Sequence, residues 1–286
     1  MIQAGLVLEG GGMRGVYTAG VLDFFMEKGL QFASCYGVSA GACHLASYMS
    51  GQRGRALKVS IDYLDDKDYC SPYSLFKTGD LFGADMCYNR IPNELNLYDY
   101  EAFKKYPGKG YAVVTNIETG RPEYIELKDM YQDITAIRAS ASLPLVSRNV
   151  EIGGKKYLDG GISDSIPIRR SIKDGNQKNV IVLTQPYGYR KKPSSQMALI
   201  RAKYKKYPKL VEDMEKRYIR YNKTLKLIEK EEMEGRAFVF RPEMLVKINR
   251  IEKDVKKLKI VYLQGYYDAS INYDLMKKFL GIKRKY

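Results

Sequence analysis

The sequence contains no tryptophan, a single histidine and only four cysteines among its 286 residues. The cysteines lack the paired C-x-x-C spacing of a zinc site, and they are too sparse for the disulfide framework of a small secreted domain. We expect free thiols in a reducing compartment at Cys35, Cys43, Cys70 and Cys87. A chain of this length can bury a sizeable core, as one large α/β domain or as two smaller ones.

Long apolar runs are also missing. The stretch 29–52 has no charged residue, but glycines and polar residues interrupt it too often for a membrane span, and a buried strand, turn and helix explain it better. The first residues carry no basic segment, and Glu9 arrives before the apolar core of a secretion signal could form. The sequence therefore predicts a cytoplasmic protein, which could also attach peripherally to the inner face of a membrane.

Acidic residues are scarce only in the last third of the chain. Residues 1–189 contain 21 Lys and Arg against 21 Asp and Glu, whereas residues 190–286 contain 27 against 12. The whole net charge of +15 is therefore contributed by the residues after 189. A basic flank can face anionic lipid or nucleic acid, and solvated lysines on ordinary helices explain it equally well.

Hydrophobic patterning predicts alternating strands and helices. A strand, a turn and a helix follow one another at 4–9, 10–15 and 16–28, and the unit repeats with a strand at 32–36 and a helix at 40–49. Later segments predict a hairpin at 111–117 and 123–127, a helix at 129–140, and strands at 149–152, 156–158, 179–183 and 237–240. Residues 50–110 are predicted as short helices and loops, 193–235 as mostly helical with an apolar core-packing stripe, and 262–280 as a final helix. This alternation predicts a largely parallel sheet covered on both faces.

The motif GVSAG at 37–41 places a serine between small residues where a strand gives way to a helix. Such a turn bends sharply and lifts the hydroxyl clear of the sheet, which makes Ser39 a candidate nucleophile. A nucleophilic serine needs a base, and histidine is the usual one. His44 follows Ser39 by five residues on the same predicted helix and points roughly 140° away from it. A Ser-His-Asp triad is therefore not favoured.

A carboxylate is the alternative base. Asp159 stands at the end of the predicted strand 156–158 and is followed by two glycines that permit close approach. An ordinary aspartate, with a pKa of about 3.9, is a weak base at neutral pH, so burial or a neighbouring group would have to raise that pKa. Taken alone, this feature is better explained as an Asp-Gly turn.

The motif GGGMRG at 10–15 could supply donors for an oxyanion. Its backbone N–H groups are unobstructed by Cβ atoms and lead into a helix N-terminus, and Arg14 adds a cation. The same loop also fits the dinucleotide fingerprint G-x-G-x-x-G, which predicts a nucleotide-binding oxidoreductase. That alternative expects an acidic residue at the end of the second strand, where this sequence has GVSAG.

Read in order, four motifs resemble those of the patatin-like phospholipase family: GGGMRG at 10–15, GVSAG at 37–41, ASASLP at 139–144, and DGG at 159–161 with Pro167 downstream. The resemblance covers residues 4–170 and implies a three-layer α/β/α fold with a mostly parallel central sheet. It also implies a Ser39–Asp159 dyad and an oxyanion-binding loop of Gly10, Gly11, Gly12 and Arg14. One departure is Ser165, which stands where the family often has asparagine.

The resemblance implies a serine-dependent lipid acyl hydrolase, of phospholipase A or carboxylesterase type, that works through an acyl-enzyme without metal or organic cofactor. We expect one domain over 1–286, with a motif-bearing core at about 4–170 and a basic, mostly helical portion at about 190–286. The expected partners are a lipid or other ester substrate and an anionic membrane surface, with no nucleic acid. The alternative is a non-catalytic protein that binds lipid or nucleic acid through its basic last third.

Overall fold

The central feature of the computed structural model, which describes residues 1–243 and 247–282, is one sheet of eight strands. In chain order the strands are β1 (Ile2–Leu8), β2 (Phe32–Val38), β3 (Lys109–Asn116), β4 (Pro122–Leu127), β5 (Val150–Ile152), β6 (Lys155–Asp159), β7 (Asn179–Val182) and β8 (Ala237–Phe240). Their hydrogen-bonded pairing runs β5-β6-β3-β2-β1-β7-β8, with β6 and β2 on the same edge of β3 and β4 on its other edge. The run β3-β2-β1-β7-β8 is parallel, and the pairs β3–β4, β3–β6 and β5–β6 are antiparallel. The prediction of a mostly parallel sheet is confirmed.

Helices lie on both faces of this sheet. They are α1 (Val16–Glu27), α2 (Ala40–Met49), α3 (Arg55–Ile61), α4 (Pro72–Thr78), α5 (Tyr100–Lys104), α6 (Met130–Ser140), α7 (Ile168–Lys173), α8 (Met197–Lys203), α9 (Pro208–Met233), α10 (Val255–Ile271) and α11 (Tyr273–Leu280). Short 3-10 helices span Gly12–Gly15 and Gly160–Ile162, and a π-helix spans Met86–Leu95. Within the described ranges, no helix is long and apolar enough to cross a membrane.

The central strand β1 shows why its sequence is apolar without alternation. Leu6 and Leu8 pack into the core on one face together with α1, α2, α6 and α10, whereas Val7 packs into the core on the other face with α9. Successive side chains of a strand point to opposite faces, so a strand covered on both sides needs apolar residues at every position. The predicted three-layer α/β/α architecture is confirmed.

The C-terminal portion shares the core of the N-terminal portion. Strand β8 extends the sheet beside β7, and α10 packs directly on α1. The two helices approach closely at Gly20 and Gly265, where a Cβ atom would lie 2.0 Å and 2.1 Å from a backbone oxygen of the opposite helix. Hydrogen bonds from Tyr17 to Asp268 (2.8 Å) and from Tyr262 to a carboxylate of α1 (2.6 Å) fasten the pair.

The last predicted helix differs from the structure. The pattern predicts one helix at 262–280, but the chain forms α10 and α11, which are separated at Asn272. The first of them begins seven residues earlier than predicted, because the Asp254 carboxylate caps it by accepting the N–H groups of Lys256 (2.9 Å) and Lys257 (3.2 Å). By contrast, the apolar stripe of α9 packs into the core as predicted, through Leu210, Met214, Tyr221, Leu225 and Ile228.

Candidate active site

Ser39 stands on a strained turn between β2 and α2. Its backbone has φ 54° and ψ −124°, a conformation that residues with a side chain rarely adopt. The Ser39 N–H donates to the Ser140 hydroxyl (2.9 Å), which in turn donates to the Val113 carbonyl (2.6 Å), so α6 and β3 hold the turn in place. A Cβ atom on Gly37 would lie 2.6 Å from a backbone atom of α2, and one on Gly41 would lie 2.7 Å from a β1 carbonyl oxygen. The motif therefore requires both glycines.

Sheet register brings Asp159 to the same place. Val38, the last residue of β2, pairs with Val113, and Asp159, the last residue of β6, pairs with Val114. Strand β4 occupies the other edge of β3 along these positions, so β2 and β6 lie end to end on one edge. Two strands that run in opposite directions thus finish facing each other, and the residues at their ends meet.

The Asp159 carboxyl group is buried. Its Oδ1 accepts the Gly161 N–H (2.7 Å), and its Oδ2 is buried without a hydrogen bond of regular geometry in the described ranges. Burial raises the pKa of Asp159 above its ordinary value, although the Ser39 hydroxyl and the Arg217 charge partly offset that rise. Asp159 can therefore act as a stronger base than an exposed aspartate and has an oxygen available for a proton.

The glycine loop lies against Ser39. A Cβ atom on Gly10 would lie 2.8 Å from the Ser39 Cβ, and Gly12, the first residue of the first 3-10 helix, takes a left-handed φ of +57°. The Thr184 hydroxyl fixes the loop by donating to the Gly10 carbonyl (2.8 Å). Gly10, Gly11, Gly12, Arg14, Ser39 and Asp159 all line one small polar pocket. The structure thus brings together every site residue that the sequence predicts.

The same pocket contains charged residues that the sequence analysis missed. The cationic pocket, as we call it, combines Arg14 with Lys191, Arg217 and Arg250. Burial, reinforced by the nearby arginines, lowers the pKa of Lys191 to about 7, and burial also lowers the pKa of Arg14 and of Arg217. The only sequence signal for these residues is the charge excess after residue 189, which does not distinguish them from surface lysines.

A buried glutamate, Glu9, also lines the cationic pocket. Glu9 follows β1 directly, and its carboxylate accepts the Thr184 N–H (2.7 Å) and the Tyr221 hydroxyl (2.5 Å). Burial and the Glu9 charge raise the pKa of Tyr221 well above the ordinary value of a phenol. Glu9 therefore ties the start of the glycine loop to α9.

His44 takes no part in this constellation. It is buried, and its side chain makes no hydrogen bond to any residue in the described ranges. Burial lowers the pKa of His44 to about 4, so the imidazole is neutral at pH 7. The imidazole borders an apolar cavity instead.

That apolar cavity borders Ser39 but not the predicted base Asp159. Its volume is about 160 Å³, and its walls come largely from residues 50–110, the region whose role the sequence pattern leaves unread. Wall residues from that region include Ala56, Val59, Tyr69, Phe82, Tyr88, Ile91 and Tyr98. Ser39, Gly12 and Leu143 line both this cavity and the polar pocket, so the serine stands at the boundary between an apolar and a charged space.

Ser165 has a structural contact of its own. Its hydroxyl donates to the Gly161 carbonyl (2.6 Å) and so braces the loop that follows Asp159. A hydroxyl at this position can therefore hold the loop where asparagine is common. Among residues 1–243 and 247–282, no cluster of three or more histidine, cysteine or acidic side chains is arranged to hold a metal ion.

Fold and site define the chain as an α/β protein with a serine on a strand-to-helix turn, a buried carboxylate beside it and a glycine loop facing both. Residues 6–171 match the family model described as patatin-like phospholipase, and the chain belongs to that family. Residues 207–281 match a second model, described as a domain of unknown function, DUF6363.

Curated proteins similar to this chain include the uncharacterized protein YjjU of Escherichia coli (strain K12), which is 34% identical over 186 residues, or 63% of this chain and 52% of that protein. The probable lipid hydrolase 463L of Invertebrate iridescent virus 6 is 27% identical over 191 residues, or 61% of this chain and 65% of that protein. The chain thus spans between half and two thirds of the length of these relatives. The crystal structure of VipD from Legionella pneumophila shares the fold, with a TM-score of 0.51, 14% identity and coverage of 95% of this chain and 67% of VipD.

Proposed function

We propose that the chain is a serine-dependent lipid acyl hydrolase that cleaves carboxylic ester bonds. The observation that carries this proposal is the meeting of Ser39, Asp159 and the glycine loop at the mouth of an apolar cavity. Membership of the patatin-like phospholipase family and similarity to a probable lipid hydrolase support it. The family also favours this function over the dinucleotide-binding alternative for the glycine loop.

The proposed reaction has two halves. The Ser39 Oγ attacks the acyl carbonyl carbon while its proton passes to Asp159 Oδ2, and N–H groups of Gly11 and Gly12, with Arg14 nearby, stabilise the negative oxygen. The C–O bond to the alcohol then breaks, and Asp159 returns the proton to the departing alcohol. In the second half a water molecule gives its proton to Asp159 as its oxygen attacks the acyl carbon. The bond to Ser39 Oγ then breaks, Asp159 returns the proton to that oxygen, and the fatty acid leaves.

The apolar cavity fits the acyl chain of such a substrate. It is lined mainly by aliphatic and aromatic side chains and begins at the nucleophile, so burial of the chain would align its carbonyl with Ser39. The basic last third suits a peripheral contact with an anionic membrane, where such substrates are found. Binding to anionic vesicles that weakens as salt is added would support that contact.

Labelling with a fluorophosphonate tests the nucleophile. We expect one adduct, located on Ser39 by mass spectrometry, and no labelling of Ser39→Ala. Hydrolysis of a neutral p-nitrophenyl ester should fall by at least about 1,000-fold in that variant. Ser34→Ala, on the same strand but outside both pockets, is the matched control and should label like the wild type. Equal labelling of Ser39→Ala would refute the assignment.

Replacement of the proposed base gives a second, independent test. Asp159→Asn keeps the shape of the side chain and should lower kcat by about 100- to 10,000-fold. Because burial raises the pKa of Asp159, the charged form costs stability at neutral pH, and the variant should melt at the same or a higher temperature than the wild type. Retained turnover would point to another base.

A further inference from the structure

The four cations of the cationic pocket differ from three nearby arginines of the last third, which form salt bridges. In the described ranges, none of Arg14, Lys191, Arg217 and Arg250 forms a salt bridge, and the Nε atoms of Arg14 and Arg217 are buried without a hydrogen-bond acceptor. Nearby cations of the last third are paired: Arg220 with Asp213 (2.7 Å), Arg190 with Glu229 (2.8 Å) and Arg201 with Glu215 (2.5 Å). The salt bridges of these three arginines thus have no counterpart among the four cations of the pocket.

The local charges do not cancel. Three arginines and Lys191, whose pKa of about 7 leaves it only partly charged at neutral pH, share the pocket with two carboxylates, Glu9 and Asp159. Both oxygens of Glu9 accept hydrogen bonds, from Thr184 and Tyr221, and within the described ranges Glu9 forms no salt bridge with any of the four cations, although its charge partly offsets the lowered pKa of Arg14, Lys191 and Arg217. Buried charge without a salt bridge is costly, so a ligand of opposite sign would be stabilised in this pocket.

Three separate segments supply Lys191, Arg217 and Arg250, in addition to the glycine loop that supplies Arg14. Lys191 comes from the loop after β7 and lies with its Nζ 4.4 Å from the centre of the Tyr221 ring. Arg217 comes from α9, and its guanidinium lies so close to the DGG loop that a Cβ atom on Gly161 would be 3.2 Å from it. Arg250 comes from the segment before α10. The Arg250 carbonyl accepts the Met13 N–H (3.0 Å) of the first 3-10 helix. The pocket is therefore built by the fold and not by a run of basic sequence.

We propose that Lys191, Arg217 and Arg250 bind the phosphate group of the substrate. This contact selects acyl esters of a phosphorylated alcohol whose headgroup carries no positive charge. This inference rests on the proposed function, since Ser39 lies in the same pocket. The pocket has a volume of about 30 Å³, two to three times the roughly 10–15 Å³ that a single water needs by the same measure. A compact group of oxygens suits this space, and arginine donors suit phosphate oxygens.

The arrangement also gives the DUF6363 segment a role. Arg217 and Arg250 lie within residues 207–281, which match that model, whereas the serine and aspartate lie within the patatin-like match at 6–171. The DUF6363 segment would thus recognise the headgroup, and the patatin-like segment would cleave the ester.

Headgroup preference tests the proposal. The wild type should hydrolyse dioleoylglycerol 3-phosphate with a higher kcat/KM than the phosphocholine lipid of the same acyl chains, both in the same mixed micelles. Arg217→Gln and Arg250→Gln should each lower the ratio of these two kcat/KM values by roughly ten-fold or more, the effect of losing a charged hydrogen bond. Lys192→Gln, an exposed neighbour of Lys191, is the control and should leave the ratio within two-fold. Arg250 is itself exposed, so its substitution keeps the test available if Arg217→Gln fails to fold.

Binding measurements separate this proposal from the proposed function. Calorimetric titration of Ser39→Ala with glycerol 3-phosphate and with inorganic phosphate should show binding that Arg250→Gln weakens. Ester hydrolysis without headgroup preference, and without an effect of Arg217→Gln or Arg250→Gln, overturns the phosphate site and leaves the hydrolase intact. Phosphate binding by a chain that hydrolyses no ester refutes the proposed function instead. Binding of inorganic phosphate without any headgroup preference overturns the substrate assignment in favour of a free anion.

Discussion

Ser39 follows the last residue of β2, and Asp159 is the last residue of β6. These two strands run toward each other along one edge of β3 and end beside the consecutive residues Val113 and Val114. A helix carries the chain away after each strand, so neither end is blocked by a continuing strand. The residues between the two side chains in the chain build most of the apolar cavity. The pairing register of the sheet therefore brings the two residues of the proposed dyad together.

The raised pKa of Asp159 leads to a prediction about pH. As the proposed base, Asp159 must be unprotonated, so kcat/KM for a neutral ester should fall as pH falls through the pKa of Asp159. Since burial raises that pKa, the acid limb should lie above the value of about 3.9 for an ordinary aspartate. A pH–rate profile of the wild type gives the midpoint directly.

The exposed carboxylate Asp65 provides the control for this profile. Asp65→Asn should leave the acid limb where it is in the wild type. An acid limb at or below the ordinary aspartate pKa, measured while the protein is still folded, would show that a different group acts as the base.

The apolar cavity leads to a prediction about acyl chain length. Ala56 is buried and lines the cavity on α3, so Ala56→Phe should fill part of the space intended for the acyl chain. We expect kcat/KM for a p-nitrophenyl ester of a long-chain acid to fall by roughly ten-fold relative to the butyrate ester. Lys58→Ala, exposed on the same helix, should change neither. Equal losses on both esters would mean that the acyl chain lies elsewhere.

The isolation of His44 leads to a prediction about catalysis. His44 is neutral at pH 7 because burial lowers its pKa to about 4, and it is not hydrogen-bonded to Ser39 or Asp159. We therefore expect His44→Asn to retain kcat within about ten-fold, whereas loss of a general base costs about 100- to 10,000-fold. Steady-state kinetics and a melting curve measure both effects. A 1,000-fold loss of kcat at an unchanged melting temperature would show that His44 takes part in catalysis.

The contact between α1 and α10 leads to a prediction about stability. In Gly265→Ala the new Cβ atom would lie 2.1 Å from the Tyr17 carbonyl oxygen, a backbone atom that cannot rotate away. Overpacking of this kind costs about 1–3 kcal/mol, which exceeds the roughly 1 kcal/mol that alanine gains over glycine in a helix. Urea unfolding should show the loss. Ser270→Ala, exposed on α10, should change the free energy of unfolding by no more than about 0.5 kcal/mol.

Local patterns predicted most elements and failed where a long-range contact decides. The strand–turn–helix unit around Ser39 can be predicted from the sequence because GVSAG bends sharply whatever surrounds it. The two glycines are needed within the turn itself. The break between α10 and α11 was not predicted, because apolar residues continue through Asn272 at helical spacing. Residues 50–110 could be read only as short helices and loops, since their shared role is to surround a cavity.

By itself, the sequence determined the family, the mostly parallel α/β fold and the residues proposed for chemistry, because each of these is written in short motifs or in hydrophobic periodicity. Only the tertiary structure decided which charges meet in one pocket without salt bridges. Lys191, Arg217 and Arg250 look like any other basic residues of the last third, and they differ from them only in what folds around them. The physical reason is that burial and charge pairing are properties of neighbours in space, and neighbours distant in the chain leave no local pattern.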